Sequence, residues 1–434
     1  MAAADTLTTL NGLTKERYAD GVVNVVPDQD KVLKMTKFSQ KDRIGAHYNQ
    51  PVILSNEQGI TFGNSSSTLP LSLNNSVAMT MQNAQLQSMF FALRGQIGVD
   101  AIVRTASKDQ AIEDALELLV TNMVESETAY IESELLYGSV GIGSTGTAAF
   151  TNNSATSETV PVQDMAAGLF AGKENATIQF YNSTSLVSSG SDSVFTISAI
   201  SYNATTPSSS TITVTGTSTG ITALNALSGT NLTIYWNGAY GIEFPGIAAV
   251  ASAGTSPITT LYGITCANYS LWNGNVFSCN SAPLTFGKVQ EGVGVAVAKG
   301  LMGKAHLLVS PPTWANLLND QAGLRRYTGD GSAKFSNGAE EIEYSSSNGA
   351  LVIVPHPYVK TNQAHLVPDL AGRWKRIGSV ELAFNPGVED PDKYFVMLQN
   401  SLGYETRLVS DTSLFIETAP ARCVQFTSIT NTTN

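Results

Sequence analysis

An α+β fold is predicted by three features of this 434-residue sequence. A long amphipathic helix is expected over residues 107–137. Short Thr-, Ile- and Val-rich segments divided by Ser, Gly and Asn fill residues 172–242, the pattern of a small all-β sandwich or barrel. Residues 350–427 read largely as strands, among them ALVIVPHP, VELAFNP and RCVQFTSI. The β-rich block interrupts an otherwise mixed chain, so it is read as an insertion. At roughly 100–200 residues per domain, the length corresponds to two to four domains.

The helix is the strongest local signal. Ser107 with Gln110 three residues later is a capping-box pattern, and Gly138 stands where a glycine stops a helix. Between them Ile112, Ala115, Leu116, Leu119, Val120, Met123 and Val124 recur at helical spacing, continued by Tyr130, Ile131 and Leu135. The opposite face carries Asp109, Glu113, Asp114, Glu117, Glu125, Glu127, Glu132 and Glu134. Solvation is the plain reading of such a face. At ~1.5 Å per residue the rod is roughly 45 Å long, enough to span a subunit.

Before the helix, residues 1–47 read as an arm with little core of its own. Residues 48–82 show extended apolar stretches around Gly59, Gly63 and a Ser/Asn cluster, the pattern of a long β-hairpin with a polar tip. With few large apolar residues it needs a partner surface, and another subunit is the natural one.

After the helix the composition changes. Residues 139–283 hold six charged side chains, Glu158, Asp164, Lys173, Glu174, Asp192 and Glu243, and no Lys, Arg or His lies between Lys173 and Lys288. That region is a poor place for catalysis and reads as a presented surface. Further on, Phe286, Val289, Val293 and Val297 have helical spacing despite intervening glycines. Leu307 to Val309 reads as a buried strand, followed by a short helix entered through Pro312.

No constellation meets the needs of an active site. GIGSTG at 141–146 matches a dinucleotide fingerprint in letters only, because a helix precedes it where a strand is required, so it reads as a flexible loop. His356 and His365 lack a third metal ligand and read as partly exposed residues of a β-hairpin. Cys266 and Cys279 read as packed thiols, and three cysteines in all make no disulfide framework. Asp320, Asp330, Glu340, Glu341, Arg325 and Arg326 read as surface ion pairs. Hence no catalytic residue, cofactor or metal is expected. With 24 Lys+Arg against 35 Asp+Glu and a net charge of −11, the chain is also ill suited to reading DNA sequence. The N-terminus lacks a secretory pattern, the apolar run at 247–253 is far below the ~20 residues of a membrane span, and the sequons at Asn175, Asn203 and Asn231 read as by-products of composition.

The order of parts, together with LYGITCANYSLWNGN (261–275), HLLVSPPTWANLLND and LFIETAPARCVQFTSI (414–429), resembles the major capsid proteins of tailed double-stranded DNA bacteriophages. Their Hong Kong phage-type fold also recurs in encapsulins and herpesvirus capsid floors. The resemblance implies an N-terminal arm (1–47), an extended hairpin loop (48–83), a peripheral domain (84–171) with a spine helix at 107–137, an inserted β-rich domain (172–249), an axial domain (250–349) and strands shared by the peripheral and axial domains (350–434). It implies a structural, non-enzymatic protein that assembles with itself into hexamer and pentamer capsomers of an icosahedral shell. That shell would enclose double-stranded DNA without sequence-specific binding, in a virion assembled in the host cytoplasm. Inter-subunit contacts would fall on the loop at Gly59, Phe62, Gly63, Leu69 and Leu71 and on the spine at Glu113, Glu117 and Glu127.

A short arm implies a separate scaffolding protein, alongside a portal; the insertion would strengthen the lattice or receive a decoration protein. No Lys lies between Lys41 and Lys108, so the covalent welding of some family members is not expected at this loop. An encapsulin-like compartment is the first alternative, and a β-rich surface adhesin the second.

Overall fold

The computed structural model describes residues 30–40, 47–65, 70–105, 115–203, 206–325, 342–346, 349–386, 395–398 and 401–431. The described chain is α+β and falls into two compact units. A smaller unit comprises residues 92–127 and 383–409; a larger one comprises residues 27–91, 128–382 and 410–434.

The larger unit contains the sheet that the insertion was expected to form. Its strands run in the order Gly143–Ser144, Thr233–Trp236, Thr177–Asn182, Phe195–Ser201, Thr211–Thr215, Ser157–Pro161 and Thr151–Ser154, with Ser185–Leu186 beside the third. Alternation explains the pattern: Ile212 and Val214 are buried, while Thr211, Thr213 and Thr215 lie on the other face. Thr213 and Thr159 hydroxyls meet across strands at 3.0 Å. The sheet starts at Gly143, not near residue 172. It is one open sheet with a helix, Ser218–Asn225, and so neither a sandwich, a barrel nor all-β. The GIGSTG segment is also not a flexible loop. Gly143 and Ser144 pair with Ile234 and Thr233, and the Ser144 N–H donates to Asp164 at 2.6 Å.

A second sheet of six strands has the order Asn275–Ala282, Val424–Ile429, Ala364–Pro368, Ala305–Val309, Gly349–Pro355 and Ile342–Ser346. All five residues of Ala305–Val309 are buried, as expected for a central strand. Helix Phe286–Ala298 packs here through Phe286, Val289, Val293 and Ala296. Its start is held twice: Thr285 accepts the Lys288 N–H, and Asp320 accepts the Phe286 N–H at 2.9 Å. Arg326, Asp330, Glu340 and Glu341 lie outside the described residues. Gly292 is the point of closest approach, because a Cβ there would sit 2.3 Å from the Phe426 ring. Gly292→Ala is therefore expected to destabilise the subunit by ~1–3 kcal/mol, read as a lower midpoint in urea.

His356 and His365 are not partly exposed hairpin residues. The strands on either side of them, Gly349–Pro355 and Ala364–Pro368, flank Ala305–Val309 and do not pair with each other. Both histidines are 0% exposed.

The long helix is described as Ala115–Tyr137; the expected cap at Ser107 and Gln110 lies outside the described residues. It runs from the smaller unit into the larger. From Ile131 to Tyr137 every residue is buried, so the last two turns are enclosed on all sides and their acids, Glu132 and Glu134, are not solvated. Gly138 is not the left-handed stop; Ser139 is, with φ 68°. Glycine is needed at 138 because a Cβ would lie 2.3 Å from the Phe244 carbonyl oxygen.

The end of the arm is also anchored, contrary to the expectation of a segment without core. Helix Lys31–Met35 buries Val32, and Lys37–Ser39 adds a parallel strand to Trp374–Ile377, which pairs in turn with Leu414–Ile416. In the smaller unit, Met89–Gly98 and Val396–Met397 pair with Gly403–Thr412. There Arg94, Gln96 and Arg407 hydrogen-bond Glu405, and these bonds, Arg94 foremost, hold its carboxyl down to about 2.

Candidate assembly surface and its buried anchor

Strands Tyr48–Ser55 and Thr80–Leu86 form the root of the hairpin, with Tyr48 opposite Leu86 and Ile53 opposite Met81. One face turns inward through Leu54, Ala84 and Leu86; the other leaves Ile53 58% and Met81 49% exposed. Beyond the strands the arms stay joined. Gln58 and Val77 exchange backbone hydrogen bonds of 2.9 and 3.1 Å, and Asn74 bonds the Ile60 carbonyl and the Thr61 hydroxyl.

Of the residues expected to meet a neighbour, Phe62 is 90% and Leu71 56% exposed. Gly59 takes φ +105°, where a Cβ would also lie 2.5 Å from the Asn75 carbonyl oxygen. Gly63 allows the Leu71 side chain to close over it. Leu69 and Glu113 lie outside the described residues. Glu117 is exposed on the helix, whereas Glu127, expected on a solvated face, is 2% exposed.

Sequence reasoning missed Ile60, Leu73, Val77 and Met79, all exposed on the hairpin. The alternation of Val77, Met79 and Met81 was the available signal.

The anchor beneath the arm is Glu132. Its carboxylate accepts the N–H groups of Val32 and Leu33 at 2.7 and 2.8 Å and lies 2.7 Å from His356 Nε2. Tyr358 donates its N–H to His356 Nδ1, which assigns the ring proton to Nε2, facing Glu132. Nearby, Lys360 Nζ pairs with Asp164 at 2.8 Å and bonds the Gly141 carbonyl, while the Lys360 N–H donates to the Tyr137 hydroxyl. This buried pair joins the long helix, the start of the eight-stranded sheet and the loop after Gly349–Pro355.

Three other acids have less support: Glu127 and Glu134 are buried, and Glu243 is part-buried and accepts the Ser139 N–H at 2.6 Å. Burial pushes the Glu127 carboxyl up to about 7, opposed by a backbone hydrogen bond at Leu93. Glu134 is raised well above the usual range by burial and by the Glu243 charge, and burial raises Glu243 to about 7. A raised carboxyl binds its proton more tightly in the folded chain. Its contribution to stability is thus full below ~4.5 and is lost as pH rises through about 7. Melting temperature is expected to fall between pH 5 and 8 on this account, and Glu243→Gln to flatten that slope.

No group of three or more His, Cys, Asp or Glu among the described residues is placed to hold a metal. The ring nitrogens of His365 have no hydrogen-bond partner, and burial drives its pKa down to about 3. Cys266, Cys279 and Cys423 are buried free thiols. No described helix is long and apolar enough to cross a membrane.

An anchored arm root, an extended hairpin, a long helix and sheet-based bodies in one α+β chain are the parts of the tailed-phage capsid fold. Among solved structures, the chain is similar to the cyanophage A-1(L) capsid asymmetric unit, at 12% identity over 98% of this chain and 99% of that one, with a TM-score of 0.57. It is also similar to a structure of Mycobacterium phage Bobi (11% identity, 98% and 99% covered, TM-score 0.46). A third is the holo-SrpI encapsulin complex of Synechococcus elongatus PCC 7942 (8% identity, 100% and 98% covered, TM-score 0.44). No protein-family model matches the chain, and no curated protein matches it. The chain has a phage major-capsid fold.

Proposed function

We propose that this chain is the structural subunit of an icosahedral shell that encloses double-stranded DNA. The observation that carries the reading is the hairpin whose Phe62 is 90% exposed, in a stretch, residues 58–93, that carries no charged side chain. An apolar side chain held out on paired strands finds its burial on another molecule. Many such contacts, each weak, close a shell by repetition in hexamers and pentamers. The net charge of −11 suits a container that must not hold the DNA sliding into it. The mechanism is association, with no reaction and no cofactor. A scaffolding protein and a portal complete the assembly, and the hydroxyl-rich face of the eight-stranded sheet offers a place for a decoration protein.

Negative-stain electron microscopy with nuclease protection on the same sample tests this. Closed shells holding protected DNA support the reading; shells filled with protein cargo move it to a compartment, and a dispersed monomer counts against both. On a denaturing gel the shell protein is expected to run as a single band. A ladder of linked subunits would contradict the non-covalent assembly implied by the lysine-free loop.

A further inference from the structure

The two residues that follow the long helix lie against the segment 243–246. The Gly246 N–H donates to the Gly138 carbonyl at 3.0 Å, and the Ser139 hydroxyl donates to the Glu243 carbonyl at 3.1 Å. Two carboxylates converge on this junction. Glu243 accepts the Ser139 N–H at 2.6 Å, and Glu134 Oε2 lies 3.3 Å from the place a Cβ on Gly138 would take. We propose that Glu134 and Glu243 bind a hard cation of the calcium class, which locks the end of the long helix to the segment that follows strand Thr233–Trp236.

The buried acid is the first support. Glu134 is 2% exposed, and its Oε2 has no hydrogen-bond partner, a state that native interiors rarely leave unanswered. Among the described residues neither acid has an ion-pair partner, and no Lys, Arg or His lies between Lys173 and Lys288 in the sequence. The helix adds to the deficit, because its C-terminal end is the negative pole of the backbone dipoles and favours a cation. Burial first, and then the charge of Glu243, raises the Glu134 carboxyl, as expected where two like charges meet without compensation.

The surroundings indicate the class of ion. Tyr181 stacks on Tyr240 with ring centroids 4.0 Å apart, and Tyr235 meets Tyr240 edge-on at 5.1 Å. This cluster faces the acids: burial, then the Glu243 charge, raises the Tyr235 hydroxyl, and the Glu134 charge adds to it. Carboxylates and hydroxyls are oxygen donors, the ligands of calcium and not those that select zinc or copper. Glu243 is part-buried, and Gly241 and Ile242 beside it are exposed, so water reaches the junction to complete the coordination shell. Two carboxylates set a modest affinity, a Kd of ~10⁻⁴–10⁻³ M. The ion turns repulsion between the acids into a bridge.

The test uses the full chain freed of metal by a chelator. Terbium takes the same oxygen ligands and emits when a nearby tyrosine absorbs, so the three tyrosines report occupancy. Tyrosine-excited emission is expected, and calcium is expected to displace it. Millimolar calcium is expected to raise the melting temperature by about 1–2 °C and to slow hydrogen exchange over residues 237–246. Glu134→Gln and Glu243→Gln are each expected to weaken terbium binding about tenfold or more. Glu117→Gln, at an exposed acid of the same helix, is expected to leave it unchanged. Emission that persists in both of the first two variants, or that Glu117→Gln also removes, places the ion elsewhere and overturns the proposal. A parent chain whose melting temperature and exchange ignore calcium overturns it as well, whether or not the variants fold, and leaves a proton as the only occupant of the pair.

Discussion

A chain carrying both Phe62→Asp and Leu73→Asp is expected to fold normally and to form no closed particles. In the isolated subunit these side chains are 90% and 78% exposed, so the new carboxylates are hydrated and stability moves by no more than ~0.5 kcal/mol. In an interface the same carboxylates meet apolar surface, and an uncompensated buried charge costs several kcal/mol. That penalty recurs at every copy in the lattice, so the effect on closure exceeds the effect on folding by orders of magnitude. Sedimentation separates subunits from particles, and circular dichroism reports the fold. Normal particles from this variant would remove the hairpin from the assembly surface.

Replacing Glu132 acts in the opposite way, on the subunit before the lattice. Glu132→Ala leaves the Val32 and Leu33 N–H groups and the His356 ring without their acceptor in a site where both side chains of the pair are fully buried. The expected loss is several kcal/mol, because three donors lose their acceptor at ~1–3 kcal/mol for each one left unsatisfied in a buried site. Glu132→Gln keeps one oxygen acceptor and is expected to lose less. Hydrogen exchange over residues 31–36 is the sharper measurement, because release of the arm root exposes those amides while the sheets stay protected. If Glu132→Ala retains both the parental melting point and the protection at 31–36, the carboxylate is not the anchor.

The legible parts of this molecule were the local ones. Alternation in TITVT, the helical spacing of Phe286, Val289 and Val293, and the turn glycines of the hairpin each depend on neighbours within a few residues. The misread parts depend on distant ones. Glu132 looked like one more acid on a solvated face because its partners, Val32 and His356, lie 100 and 224 residues away. Gly143 and Ser144 looked like loop because their strand partner is Ile234 and Thr233. Gly138 had the right residue type for a helix stop, but the constraint on it is a carbonyl of Phe244. The exposed apolar row at Val77, Met79 and Met81 had a two-residue period that was visible in the sequence; what the sequence did not show was which face the fold would leave open.

The six-stranded sheet has a consequence for the timing of synthesis. Val424–Ile429 lies between Asn275–Ala282 and Ala364–Pro368 and is hydrogen-bonded to both. Until residue 429 has left the ribosome, those two strands face each other as unsatisfied edges across a missing partner. A prematurely terminated chain therefore holds a split sheet, with Phe426 absent from its place against Gly292. Such a fragment exposes unpaired strand edges, the kind of surface that chaperones and proteases act on. A strand made late and placed centrally thus makes completion of the sheet a check on translation itself.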